Sequence, residues 1–434
     1  MSVFFLLSQR RFGPADLTFY AAILLVLSMM FSPFVLSLSM WGLVLAAGWE
    51  SLEKARQTVA PGKNVWWQGF QQSLRRWMQQ PVLLVLSLLL LVPACSFFWS
   101  EDLSFWAERT RVRLPFLVLP WAFANLPILT LRRYQLVLYG LVWMLVLTCI
   151  GVWIHFSQNA AVILEGLNHG RPIPVPRNHI RFNLLLATGV LVGGWLWAQR
   201  FRWRYDWERR ALAVAVVFLF GFLHFLSVRS GIAALYTALL FTVLRFLVRT
   251  RRWGVALAAL ALIAMIPWLA LRSIPSLQQR VSYMIYDWQQ YQKNEGDDYS
   301  DSERWISLSA GLELWRERPM LGVGAGDLPK EIQRVVNRRF PAYTVAPKLP
   351  HNQFIYLLAG TGLLGLLLSM VAFVTPLTEA HSRRFYLFSA FQIMIFVSFL
   401  VEYTIETAIG VAFYLFYLLW FRAMAKAVPV DQTT

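Results

Sequence analysis

Charged residues are scarce in this chain. They make up 15% of its 434 positions, where an ordinary soluble domain carries roughly a quarter. Cysteine is scarcer: Cys95 and Cys149 are the two present, both in apolar runs. Thiols so placed read as core residues, and they exclude a disulfide framework and any cysteine-based zinc site. The six histidines are scattered, with no metal-ligand spacing to carboxylates, so no metal and no cofactor is expected. No apolar stretch of the right length with a small-residue cleavage site precedes the first long run, so no removable signal peptide is expected. Apolar residues are what the chain has in abundance. They reach 58%, and aromatics 15%, with 20 Trp. This composition excludes a soluble globular enzyme, a disordered protein and a fibrous repeat. It leaves an all-α, polytopic integral membrane protein.

Apolar runs at about 17–31, 33–49, 81–99, 114–131, 134–156, 183–199, 211–227, 230–248, 254–271, 351–375, 385–401 and 403–421 predict about twelve transmembrane helices. The first two meet at Ser32-Pro33 and predict a tight helical hairpin. The chain divides into residues 1–271 with nine spans, a large polar loop at 272–350, and residues 351–434 with three spans and a short tail. The net charge is +17, from 40 Lys and Arg against 23 Asp and Glu. With a cytoplasmic N-terminus, 22 basic residues fall inside and 18 outside, 11 of the latter in 272–350. Long translocated segments escape the positive-inside rule. The remaining split, 22 to 7, puts both termini in the cytoplasm and 272–350 on the outer, periplasmic face. The loops at 64–80 and 200–210 interleave Trp with Arg, a pattern that can stack on bases. Beside a bilayer the same residues are interfacial anchors, and no nucleic-acid partner is expected.

The spans hold few ionisable residues: His224 in the seventh, and Glu402 and Glu406 near the outer end of the last two. An ion-coupled carrier usually needs such groups near mid-membrane, and a transporter also predicts symmetric halves that the sequence does not show. Polar chemistry gathers instead in 272–350. Ser300-Asp301-Ser302-Glu303 predicts a capping box, followed by Trp305, Leu308, Leu312 and Trp315 at helical spacing. Pro319 and Gly322 to Gly326 turn the chain. Asp327 predicts the cap of a second helix, with Ile332, Val335 and Val336 on one side and Arg334, Arg338 and Arg339 towards the other. Two amphipathic helices on the outer membrane face fit this pattern. His351-Asn352 follows Pro350 and opens a long apolar helix. A helix N-terminus disfavours imidazolium, and a neutral histidine is what a general base requires; capping alone would also explain it. Arg229, in the short turn Ser227 to Gly231, either snorkels or holds an anion, and a guanidinium fork matches phosphate oxygens. Arg304, at the start of the amphipathic helix, is of the same type. Glu402 and Glu406, four apart on one helix face, can hold a metal or a sugar or be oriented by arginines. Gly360 to Gly365 matches G-x-G-x-x-G inside an apolar span with no strand before it, so close helix packing explains it better than a dinucleotide. Gly322 to Gly326 lacks the Lys-Ser/Thr of a P-loop.

Arg229-Ser230-Gly231, then Arg304-Trp305, then Pro319-Met320-Leu321-Gly322-Val323-Gly324, then His351-Asn352 together resemble the O-antigen ligase family, the ligase and polymerase superfamily of bacterial surface polysaccharides. The resemblance is strong over about 215–375. It implies a GT-C-like, metal-independent glycosyltransferase of the bacterial inner membrane. Such an enzyme takes a glycan from undecaprenyl diphosphate on the periplasmic face and transfers it en bloc to a hydroxyl of lipid A–core or another glycan. Carried over residue by residue, Arg229 and Arg304 bind the donor diphosphate, and His351 activates the acceptor hydroxyl. In the Pro-rich loop 157–182, Arg181 is a further donor-binding candidate. Asn352, Arg338, Glu402 and Glu406 are secondary candidates. A polymerase of the same superfamily uses the same donor with a second lipid-linked glycan as acceptor. A protein-glycosylating ligase would be expected to be longer, with a further soluble part. A lipid or polysaccharide transporter is the reading from another class.

Overall fold

A computed structural model of the chain describes residues 12–58, 64–292, 300–341, 343 and 345–428. Every regular element among them is helical. The chain begins with α1 (Pro14–Phe31) and α2 (Pro33–Thr58), packed along each other. Ser32 between them takes an extended backbone, and a proline suits the first helical position because it has no N–H to leave unpaired. The amphipathic α3 (Val65–Met78) leads to α4 (Pro81–Val85) and α5 (Leu88–Cys95), two parts of one apolar segment. Then come α6 (Leu103–Arg113), α7 (Pro115–Asn125), α8 (Leu131–Gln158) and the short α9 (Ala160–Asn168). The middle of the chain forms α10 (His179–Ala198), α11 (Trp207–Phe225), α12 (Arg229–Thr250) and α13 (Trp253–Ser273). The polar segment folds as α14 (Pro275–Gln292), α15 (Ser300–Glu317) and α16 (Leu328–Arg339). After it come α17 (Gln353–Thr378), α18 (Ala380–Arg384), α19 (Tyr386–Val401) and α20 (Ala408–Ala427).

Nine segments of the described residues are long and apolar enough to cross a membrane: α1, α2, the α4–α5 unit, α8, α10, α12, α13, α17 and α20. The chain is a polytopic helical membrane protein. Three of the twelve expected spans fall short of that measure. The fourth is the 11-residue α7, roughly 17 Å long at 1.5 Å per residue, about half the hydrocarbon thickness. The eleventh is the 16-residue α19. The seventh, α11, has 19 residues but carries Glu208, Arg209 and Arg210 in its first turn.

One apolar core runs through the bundle, and α20 is buried over nearly its whole length. By contrast α13 buries only Ala256 among its residues, as suits a helix whose sides meet lipid. Cys149 lies in the core, but Cys95 is exposed, so the expectation of two core thiols holds for one. His224 is a satisfied core residue. Its Nδ1 lies 2.8 Å from the Phe220 carbonyl oxygen and its Nε2 2.9 Å from the Tyr236 hydroxyl. The Trp- and Arg-rich turn at 200–210 closes on Glu208, whose carboxylate accepts from the backbone N–H groups of Trp203, Arg204 and Tyr205.

A second apolar cluster joins α15 and α16 to the start of α17. Here the structure departs from two amphipathic helices laid on a lipid surface. The apolar side of α16, Leu328, Ile332, Val335 and Val336, is buried against protein. On α15 the buried stripe is Ile306, Ala310 and Leu314, in place of the expected Trp305, Leu308, Leu312 and Trp315. The expected capping box falls on Ser300 and Asp301, whose side chains lie outside the described residues; Glu303 pairs with Lys348. Asp327 does not cap its own helix. Its carboxylate instead accepts from the N–H groups of Glu101 and Asp102 at 2.8–3.0 Å, tying the turn to the far end of the α5 segment.

The Pro319 to Gly324 turn is locked into α17. Gly362 takes φ 67° and ψ −170° inside that helix, a conformation that side chains with a Cβ rarely adopt. The helix breaks there, and the turn enters the break. Val323 N–H donates to the Ala359 carbonyl and Gly324 N–H to the Gly360 carbonyl, each at 2.9 Å, and Leu363 N–H donates back to Pro319 at 2.8 Å. The glycines at 360–365 thus receive a backbone turn, which goes beyond the helix packing expected of them.

Candidate active site

Arg229, Arg304 and His351 come from three separate parts of the chain and line one pocket of about 460 Å³. Arg229 is the first residue of α12. The turn before it is held by Ser227, left-handed at φ 55°, whose hydroxyl lies 2.9 Å from that of Ser276 at the start of α14. Gly231 lets α12 close on α10, because a Cβ there would come within 2.5 Å of the Asn183 Cβ. Arg304 stands in the first turn and a half of α15. Nearby, Ser302 donates its backbone N–H to Asp287 Oδ1 at 3.1 Å and its hydroxyl to the same oxygen, which fastens α15 to α14. The remaining walls are mostly apolar: Met284, Ile285 and Trp288 from α14, Trp305 and Leu308 from α15, and Leu400 and Val401 from α19. The rings of Trp288 and Trp305 meet edge to face with centroids 5.7 Å apart. A guanidinium pair beside an apolar, aromatic wall suits a ligand with an anionic centre and a lipid or sugar portion.

His351 does not sit in the first turn of α17. Asn352 is the cap, its Oδ1 accepting from Phe354 and Ile355 N–H at 2.9 and 3.1 Å. Its Nδ2 donates to the Leu400 carbonyl at 3.0 Å. Both ends of the Asn352 amide are therefore engaged in structure, against the expectation of a substrate contact. His351 precedes the cap, and a carboxylate lies beside its ring. Its Nδ1 lies 3.5 Å from Glu402 Oε2, with side chains only 13% and 6% exposed. Both ring nitrogens are buried without a hydrogen-bond partner. The Tyr403 ring packs 5.2 Å from the imidazole.

Glu402 and Glu406 do not share a helix face. The chain leaves α19 at Glu402 in an extended conformation (φ −158°, ψ 147°) and makes a single 3₁₀ turn over Thr404–Glu406 before α20. The two carboxylates part. Glu406 is buried against Arg113 of α6 and accepts from Gln353 Nε2 at 2.7 Å; Gln353 Oε1 accepts from Ile405 N–H at 3.1 Å. Glu402 faces His351. Burial raises its carboxyl, but the His351 ring and the charges of Arg181 and Arg304 outweigh that and hold it below the usual glutamate value. Arg181, in the first turn of α10, thus approaches the same carboxylate and does not line the pocket. Arg338 lies elsewhere, exposed and paired with Glu313 and Glu317 on the ledge between α15 and α16. Among the described residues no group of three or more His, Cys, Asp or Glu is placed to hold a metal.

Residues 214–370, from within α11 to within α17, match the family model described as O-antigen ligase. The match identifies this segment as an O-antigen ligase domain. No curated protein matches the chain. That domain and the apolar helices support a membrane protein of ligase or polymerase type that processes glycans. The matched segment contains Arg229, Arg304, the Pro319 to Gly324 turn and His351. It stops short of Glu402 and excludes Arg181 and Arg113. Sequence reading missed α14 with Asp287 and Trp288, and the pairing of Glu402 with His351. The signal for α14 was present in Pro275, a good first helical residue, followed by mixed polar and aromatic residues. No local signal marks the pairing.

Proposed function

We propose that this chain is a metal-independent glycosyltransferase of the O-antigen ligase family that moves a glycan en bloc from undecaprenyl diphosphate to an acceptor sugar hydroxyl. The acceptor we assign is lipid A–core, at the outer face of the bacterial inner membrane, with both termini cytoplasmic. The observation that carries the reading is the gathering of Arg229, Arg304 and His351 around one pocket from positions 122 residues apart at the extremes. Arg229 and Arg304 are assigned to the donor diphosphate. As the glycosidic C–O bond breaks, negative charge grows on the departing phosphate oxygen, and placed guanidinium groups stabilise it without a metal. His351 is assigned as the base that takes the proton of the acceptor hydroxyl. The apolar wall from α14, α15 and α19 supports a lipid-linked donor, and Trp288 with Trp305 offers faces on which a sugar can stack.

The test is a titration with undecaprenyl diphosphate beside a transfer assay on variants. The total lipid extract of a strain lacking this chain supplies donor and acceptor. His351→Ala should abolish or cripple turnover and leave binding nearly intact. Arg229→Ala and Arg304→Ala should each weaken binding by about 1.5–3 kcal/mol, one charged hydrogen bond, with only partial rescue by Lys. Normal turnover of His351→Ala sinks the mechanism. The same deletion strain separates the two branches: full-length lipid-linked polymer accumulates if the chain is a ligase, single repeat units if it is a polymerase.

A further inference from the structure

We propose that Glu402 is the positioning residue of His351, holding the imidazole by its Nδ1 edge so that Nε2 is the nitrogen that takes the acceptor proton. The inference rests on the reading of His351 as the base. Three observations carry it. Glu402 Oε2 lies 3.5 Å from Nδ1; Glu402 is buried and His351 largely so. Neither ring nitrogen has a hydrogen bond within the chain; Nδ1 faces Glu402, which leaves Nε2, on the other edge, as the nitrogen a substrate hydroxyl would satisfy. The loop that carries Glu402 is fastened at both ends to the two residues that follow His351. Asn352 Nδ2 holds the Leu400 carbonyl just before it, and Gln353 holds Ile405 and Glu406 just after it. Arg113 in turn neutralises Glu406. Glu402 is therefore aimed by a frame that does not depend on substrate.

The chemistry follows from the ring's two nitrogens. A carboxylate at Nδ1 selects the tautomer with a proton there and leaves the Nε2 lone pair free. In the transfer, the acceptor hydroxyl proton passes to Nε2 and its oxygen bonds the anomeric carbon. The bond from that carbon to the diphosphate breaks, and the lipid diphosphate leaves with the electron pair. Glu402 stays ionised throughout and stabilises the imidazolium that forms. Arg181 and Arg304 face the same carboxylate, Tyr403 packs on the ring, Arg109 and Glu406 act on Tyr403 from behind, and Arg229 lines the pocket.

The experiment compares Glu402→Gln, Glu402→Asp, His351→Ala and the double variant His351→Ala/Glu402→Gln, full-length and purified, using the lipid extract described above. Glu402→Gln keeps the shape and loses the charge. It should lower kcat about tenfold or more, a part of the 10²–10⁴ that a base contributes, while the KM for donor lipid stays within about twofold. Glu402→Asp should recover part of kcat. The double variant should be no slower than His351→Ala, since Glu402 acts through the ring. An unchanged kcat in Glu402→Gln, with His351→Ala inactive, overturns this proposal and leaves the base in place. So does a double variant slower than His351→Ala by the full factor of Glu402→Gln alone. Normal turnover in His351→Ala overturns both.

Discussion

Arg113→Leu leaves the Glu406 carboxylate buried without its guanidinium. The two side chains are 2% and 1% exposed, so water screens neither, and removing one partner of such a pair costs about 3–5 kcal/mol. Gln353 Nε2 still donates to Glu406 at 2.7 Å, and a hydrogen bond to a charged group offsets about 1.5–3 kcal/mol of desolvation. The lower end, about 3 kcal/mol, is therefore expected, which is a fall of several degrees in Tm for a chain of this size. The damage should also reach the site. Gln353 lies two residues after His351 and fastens the loop that carries Glu402, so turnover should fall while the protein still inserts. Thermal unfolding of detergent-purified protein, read by tryptophan fluorescence, measures the first effect, and the transfer assay the second. A second variant isolates the cause. Arg113→Leu/Glu406→Gln removes both charges and keeps an amide for Gln353, and replacing a buried pair by neutral groups is often close to neutral. It should recover most of the Tm. A wild-type Tm in Arg113→Leu, or a Tm in the double variant below that of the single, would refute the buried-charge reasoning.

Gly362→Ala should destabilise the protein and cut activity. The left-handed backbone costs a non-glycine residue about 1–3 kcal/mol, and a Cβ there would overlap the Met320 carbonyl and approach the Leu321 nitrogen to 2.5 Å; limited proteolysis between α15 and α16 reports the released turn. Arg338→Ala, by contrast, should change Tm by no more than the roughly 0.2–1 kcal/mol of an exposed pair and leave donor binding as in wild type, since its partners are Glu313 and Glu317. A tenfold loss of undecaprenyl diphosphate binding in that variant would place the diphosphate on the α15–α16 ledge. Transfer activity should persist in excess EDTA, the arginines taking the electrostatic role a metal would play; loss that Mg²⁺ restores would show a metal requirement. For orientation, Asn337→Cys on the exposed side of α16 should react with a membrane-impermeant thiol reagent in cells with a permeabilised outer membrane, and protection there would invert the topology.

Much of the architecture was legible because it is encoded locally. Hydropathy over about twenty residues marks a span, and it placed nine segments that the folded chain also offers as spans. The hairpin at Ser32-Pro33 and the helices at 300–317 and 328–339 were legible from proline, capping and periodicity, which act within a few positions. Runs with a broken or charged end were the ones misjudged. Pro115–Asn125 is too short to cross by itself, and the residues around 402–406 leave the helix altogether.

Arg229, Arg304 and His351 could be chosen from sequence because each stands beside a local landmark: a short turn, a helix start, and a helix cap. What they share could not. The partners of buried polar groups are set by where helices meet, and those meetings join distant residues. Arg113 finds Glu406 across 293 positions, and Asp327 holds Glu101 across 226. A carboxylate at position 402 looks the same in sequence whether it faces lipid, a metal or an imidazole. Burial removes water as a partner, so the folded chain must supply one within a few ångströms. That requirement, met only once the helices were packed, sent Glu406 to Arg113 and Gln353 and Glu402 to His351.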